Sequence, residues 1–112
     1  MDIDFFHSFK DCIEKLDKLG NDYAVAKSKS WHAQELKYSM VASIIKSLPE
    51  MPISKAELEA KNHPDYKTYL EETSKAIEKE LKLKAKYESQ KARFEAYRSL
   101  SSLEKATRNI IG

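Results

Sequence analysis

Glycine and proline are scarce in this chain, with 2 Gly and 3 Pro among 112 residues. A sheet protein of this size needs many turns, and turns draw heavily on these two residue types. Charged residues make up 34% of the sequence and hydrophobic residues 41%. This composition argues against a β-rich fold and favours long helices with well-solvated faces.

Cysteine and long apolar runs are also missing. Cys12 is the single cysteine, which excludes an intrachain disulfide and a thiolate metal cluster. No apolar run approaches the roughly 20 residues that a membrane span needs. The opening MDIDFFHSFKDC carries acids where a secretory leader would carry basic residues. We therefore expect a soluble, cytoplasmic protein without a membrane partner.

Catalytic motifs are absent as well. His7, His32 and His63 fall in separate predicted elements, without a metal-ligand spacing such as His-x-x-x-His. The sequence has no Gly-rich phosphate loop and no nucleophile motif. We expect no enzyme, no catalytic residues, no metal site and no cofactor.

Hydrophobic residues do recur at spacings of three and four, which is typical of amphipathic helices. They predict an N-terminal helix over residues 1–19, which GND at 20–22 is expected to end. This helix carries an apolar stripe and acidic side chains, so we interpret it as a docking element that does not contact nucleic acid.

A second helix is predicted over residues 22–48, with Asp22 at its N-cap. Trp31, Tyr38 and Ile45 recur every seven residues in it, as in a coiled-coil seam. Trp31 should therefore be mostly buried.

LPEMP at 48–52 should end the second helix, because each proline lacks a backbone donor and restricts the residue before it. Residues 49–63 then form a connection, in which Ser54 and Glu57 have the capping-box spacing of a short helix. The last helix is predicted over residues 64–100, starting at Pro64. SLSS at 99–102 offers a point of interruption.

Together these elements predict a single all-α domain over residues 1–112. Its main feature is a long antiparallel helical hairpin, or coiled coil, of residues 22–48 and 64–100, with an additional N-terminal amphipathic helix. A chain of this length buries only about two thirds of its surface, so we expect it to form a homo-oligomer.

Charge is unevenly distributed along the chain. Residues 1–22 carry three Lys against six acids, whereas residues 75–108 carry ten Lys or Arg against five Glu. In the last helix Lys84, Lys91 and Arg98 recur every seven residues, and Lys86 and Arg93 fall on a roughly opposite face. A basic helix of this kind predicts a polyanionic partner or a merely solvated surface.

Aromatic side chains lie beside these cations. Single-stranded nucleic acid is bound by cations that neutralise phosphates and by rings on which bases stack. The candidate DNA-binding residues are Lys84, Lys86, Lys91, Arg93, Arg98, Tyr87 and Phe94. In the structural alternative the Lys and Arg stems cover apolar neighbours, and Tyr87 and Phe94 are core or subunit-contact residues.

Two segments resemble the UvsY-like recombination mediators of bacteriophages. KARFEAY at 91–97 is similar to the KARLDYY segment of that family, and DYAVAKSKSW at 22–31 is similar to its early helix. Residues 49–63 depart from the family's pattern.

The resemblance implies a small helical oligomer that binds single-stranded DNA in the cytoplasm of the host cell. It also implies partners, namely a RecA-like recombinase and the single-strand-binding protein that it replaces. The family's motif assigns DNA binding to Lys91 and Arg93 alone. These two residues lie about 200° apart on a helix, so binding shared between subunits, or wrapping around an assembly, is expected.

Two other functions stay open on the sequence. One is a structural or adaptor coiled-coil protein of a phage or mobile element, with no nucleic-acid role. The other is an antitoxin-like or other regulatory module.

Overall fold

The computed structural model describes residues 3–111, and every element within them is a helix. The helices are α1 (Ile3–Glu35), α2 (Lys37–Ser47), α3 (Ile53–Lys61) and α4 (Pro64–Ile111). The predicted all-α class is confirmed. Over these residues no helix combines the length and the apolar character that crossing a bilayer requires.

The chain forms two compact units, each containing a segment of α1 and a segment of α4. The terminal unit, as we call it, comprises residues 3–24 and 82–111; the central unit comprises Val25–Leu81. In the terminal unit Phe5 contacts Tyr97 and Cys12 contacts Gln90. The order of these contacts shows that α1 and α4 run antiparallel, as in the predicted class of a helical hairpin. The first arm of the hairpin is α1, and not the predicted helix of residues 22–48.

A seam of inward-facing residues holds the terminal unit together. Its members alternate at spacings of four and three on both helices, the heptad pattern of a coiled coil. They are buried or half-buried, and comprise Phe5, Phe9, Cys12, Leu16, Leu19 and Tyr23 on α1 and Leu83, Tyr87, Gln90, Phe94, Tyr97, Ser101 and Glu104 on α4.

Aromatic rings form one end of this seam. The Phe9 ring lies 5.7 Å from the Phe94 ring and 5.7 Å from the Tyr97 ring, measured between centroids. Phe5 meets Tyr97 edge-on at 5.5 Å. Such pairs stabilise a fold by about 0.5–1.5 kcal/mol beyond the area they bury. Part of the apolar stripe of the N-terminal segment therefore docks on α4 of the same chain, whereas Phe6 and Ile13 remain exposed.

A polar contact lies in the middle of the seam. Gln90 is buried, and its Nε2 donates to the Cys12 carbonyl oxygen at 3.3 Å and lies 3.2 Å from Cys12 Sγ. Moving one helix along the other would leave the Gln90 amide buried without a partner, at a cost of about 1–3 kcal/mol. This contact therefore favours one alignment of α1 and α4.

The predicted break at 20–22 does not occur. α1 continues through Gly20 to Glu35, so the predicted N-terminal helix is the first part of one longer helix. A Cβ atom on Gly20 would lie 3.2 Å from Tyr87 Cε2. Glycine costs about 1 kcal/mol in a helix relative to alanine, and here it allows the Tyr87 ring to approach the α1 backbone.

The central unit contains a second, smaller core. Ile44 from α2, Ala60 from α3, and Tyr66 and Tyr69 from α4 form a buried cluster. The Tyr69 hydroxyl donates to the Ala33 carbonyl oxygen. α1 and α4 are therefore also in contact in this unit.

The connection in the central unit follows the proline signals. α2 ends at Ser47, Leu48 is extended, and α3 begins at Ile53. The capping-box prediction is wrong, because Pro52 occupies the N-cap of α3 and no side chain caps it. The last helix begins at Pro64 as predicted, but it passes through 99–102 without interruption.

The seam predicted through Trp31 is also wrong. A turn at Leu36 separates α1 from α2 and breaks the seven-residue series. Trp31 is 64% exposed and Tyr38 is 83% exposed. Ser30, the residue before Trp31, is fully buried instead.

Phe9→Ala should lower the free energy of unfolding by about 2–3 kcal/mol, because it removes the ring that contacts Phe94, Tyr97 and Phe5. Phe6→Ala is the matched control, since Phe6 is 54% exposed and occupies no seam position; it should change stability by about 0.5 kcal/mol or less. Urea denaturation followed by circular dichroism measures both. Equal losses for the two variants would contradict the assigned seam.

Trp31 is the single tryptophan and serves as a probe of the central unit. Its exposure predicts an emission maximum close to that of an indole in water and efficient quenching by acrylamide. Emission should not change on dilution. A blue-shifted maximum that moves to the red on dilution would show that another chain covers Trp31.

Candidate nucleic-acid interface

All five basic candidate residues of α4 are exposed in the terminal unit, and they border the seam. Lys84, Lys91 and Arg98 each follow an inward-facing residue by one position; we call them the first basic row. Lys86 and Arg93 each precede an inward-facing aromatic residue by one position; we call them the second basic row. The basic stripe is therefore not the packing surface of α4 but runs beside it.

Two observed contacts show on which side of the seam each row lies. The Tyr87 ring approaches Gly20 of α1, and Lys91 Nζ lies 5.0 Å from the centroid of the same ring. Gly20 and the first basic row therefore share one side. Lys86 and Arg93 line a shallow depression with Leu19 and Gln90, which places the second row on the opposite side.

The depression beside the second basic row has a volume of about 380 Å³. Leu19, Ala85, Ser89 and Gln90 complete its lining. Two cations at its edge could hold an anionic group, but no aromatic ring lines it. The depression therefore offers no ring on which a base could stack.

Tyr87 and Phe94 do not form a free stacking surface. Both are half-buried members of the seam. The Phe94 ring faces Phe9 at 5.7 Å, and the Tyr87 ring lies 5.9 Å from Tyr23. The structural alternative thus describes these two rings better than base stacking does, and we assign them to packing.

The cations differ in how they are paired. Arg98 Nη1 lies 3.2 Å from Glu95 Oε1, an exposed pair of the kind that contributes little to stability. Lys84, Lys86 and Arg93 form no ion pair with any residue in the described range 3–111. Three of the five cations are therefore available to phosphates without breaking a contact.

Phe6 and Ile13 are further candidate residues, outside the set of DNA-binding residues that the sequence predicts. They lie fourteen and seven residues before Gly20, so the heptad repeat places them on the same side as the first basic row. Phe6 is 54% exposed and Ile13 is 40% exposed. The spacing of four and three that selects Phe5, Phe9 and Cys12 as the seam could have identified both as flanking residues.

Metal binding has no support in the described part of the chain, where no group of three or more His, Cys, Asp or Glu side chains could hold an ion. His63 Nδ1 accepts a hydrogen bond from the Asp65 backbone N–H at 3.1 Å. This contact lies at the start of α4 and orders the first turn of that helix.

Comparisons with protein-family models, curated proteins and solved structures found no match.

A double-mutant cycle tests the assignment of Phe94 to packing. Phe9→Ala and Phe94→Ala should each be destabilising, and the double variant should cost less than the sum of the two by about 0.5–1.5 kcal/mol. Urea denaturation of the four proteins gives this coupling. Additive effects would contradict the contact and would return Phe94 to the set of possible stacking rings.

Proposed function

We propose that this protein is a single-stranded DNA-binding accessory protein that assists the loading of a RecA-like recombinase. The observation that supports the proposal is the exposure of five cations on one stretch of α4, of which Lys84, Lys86 and Arg93 have no carboxylate partner among the described residues. Unpaired cations are suited to binding phosphates, because each phosphate contact releases condensed counterions and no existing ion pair has to be broken.

The choice of single-stranded DNA and of the protein partners is supported by the KARFEAY segment. Its Lys91 and Arg93 lie in different basic rows, on opposite sides of the seam. One strand would not reach both rows on one side of a single hairpin. Either a homo-oligomer presents both rows to one strand, or one row makes most of the contacts.

A purely structural or adaptor role is the second candidate. It is supported by the exposed apolar side chains of the central unit, among them Trp31, Tyr38 and Ile53. Exposed aromatic residues of this size are common in protein–protein interfaces. An adaptor would bind its protein partner and show no affinity for oligonucleotides at low salt.

Replacing Lys91 and Arg93 together with Ala should weaken binding to a labelled single-stranded oligonucleotide. If both residues contact phosphates, the slope of log affinity against log salt should fall by about 1.4, at about 0.7 per contact. Fluorescence anisotropy at several salt concentrations measures affinity and slope, with single- and double-stranded probes compared.

The matched control is Lys55→Ala with Lys61→Ala, which removes two exposed charges from α3 in the central unit. It should leave affinity and slope nearly unchanged. Circular dichroism and size-exclusion elution must match the parent for both double variants. Absence of binding by the parent at low salt would refute the proposed function.

A further inference from the structure

We propose that a single nucleic-acid strand lies along the side of the terminal unit that carries the first basic row, and that Phe6 is the residue on which a base stacks. This inference rests on the proposed function, because it specifies how that binding occurs. It replaces Tyr87 and Phe94 with a ring that the structure leaves accessible.

On this side of the terminal unit, Phe6 is an aromatic residue whose ring does not pack in the seam. Phe5, Phe9 and Tyr97 contact one another, whereas Phe6 is 54% exposed. Among the described residues its one ring contact is its neighbour His7, at 5.9 Å. An exposed ring held on a helix offers a base a face at small entropic cost. Stacking of this kind tolerates any base.

The first basic row supplies the phosphate contacts beside this ring. Residues seven apart on a helix are separated by about 10 Å, so Lys84, Lys91 and Arg98 extend over roughly 21 Å. That length suits a short binding site of about four nucleotides or more. On α1 the flanking positions of this side are Phe6, Ile13 and Gly20, none of which is acidic.

Acidic neighbours on α4 weaken the first row without cancelling it. Glu95 pairs with Arg98 across two exposed side chains, and Glu88 lies between Lys84 and Lys91 in sequence. An exposed pair of this type contributes little to stability, so a phosphate can displace it. The second row has unpaired cations but no ring, and so lacks the feature that distinguishes a single strand from a duplex.

The test of stacking uses three variants of the full-length chain with labelled oligothymidylate. Phe6→Ala and Phe6→Leu should each reduce affinity by about fivefold to a hundredfold, because both remove the π face. Phe6→Trp should retain or improve binding. Leu103→Ala is the matched control, since Leu103 is 64% exposed in the same unit and lies outside this side; it should leave affinity unchanged.

The test of the basic rows compares two double variants that each remove two charges. Lys84→Ala with Lys91→Ala should reduce affinity and lower the salt slope by about 1.4. Lys86→Ala with Arg93→Ala should change both quantities much less. Circular dichroism must show that all variants keep the helical content of the parent.

The outcomes separate this inference from the proposed function. A parent that binds oligothymidylate, and loses binding with the Lys86/Arg93 variant but not with Phe6→Ala, would overturn the inference and leave the proposed function standing. Phe6→Leu that binds as well as the parent would also overturn it. A parent that does not bind at low salt would refute the proposed function itself.

Discussion

The antiparallel packing of α1 against α4 in the terminal unit is the interaction on which the surface of that unit depends. Its seam alternates at spacings of four and three on both helices, and the Gln90–Cys12 contact favours one alignment. Once that alignment is set, every neighbouring position has a defined side. The arrangement of cations and exposed apolar residues therefore follows from how the core of the unit packs.

The packing also decides which aromatic residues are available for binding. Rings at seam positions pack against one another, as Phe9 and Phe94 do, and their faces are not accessible to a ligand. A ring one position beyond the seam, such as Phe6, keeps much of its surface. A difference of one residue in sequence thus separates a packed ring from an accessible one, and apolar character alone does not distinguish them.

Helix content and the ends marked by proline could be predicted from the sequence, because backbone constraints are local: α2 ends before Pro49 and α4 begins at Pro64. The presence of Gly20 within a helix could not be explained from the neighbouring sequence, because the space that glycine leaves is used by the Tyr87 ring of another helix. Trp31 could not be placed from hydrophobicity, because the buried positions of α1 in the central unit are the small residues Ala26 and Ser30. The cations of α4 could be identified from the sequence by their charge. The side of the helix pair on which each one lies could be assigned only after the seam residues were known.

Cys12 gives the seam a further property. Cys12 is only 3% exposed and its thiol lies against the Gln90 amide, so a thiol reagent can reach it only when α1 and α4 separate locally. The rate of its alkylation therefore measures how often this part of the hairpin opens in the native state. Cys12 is therefore a built-in probe of local opening events that do not change the average structure.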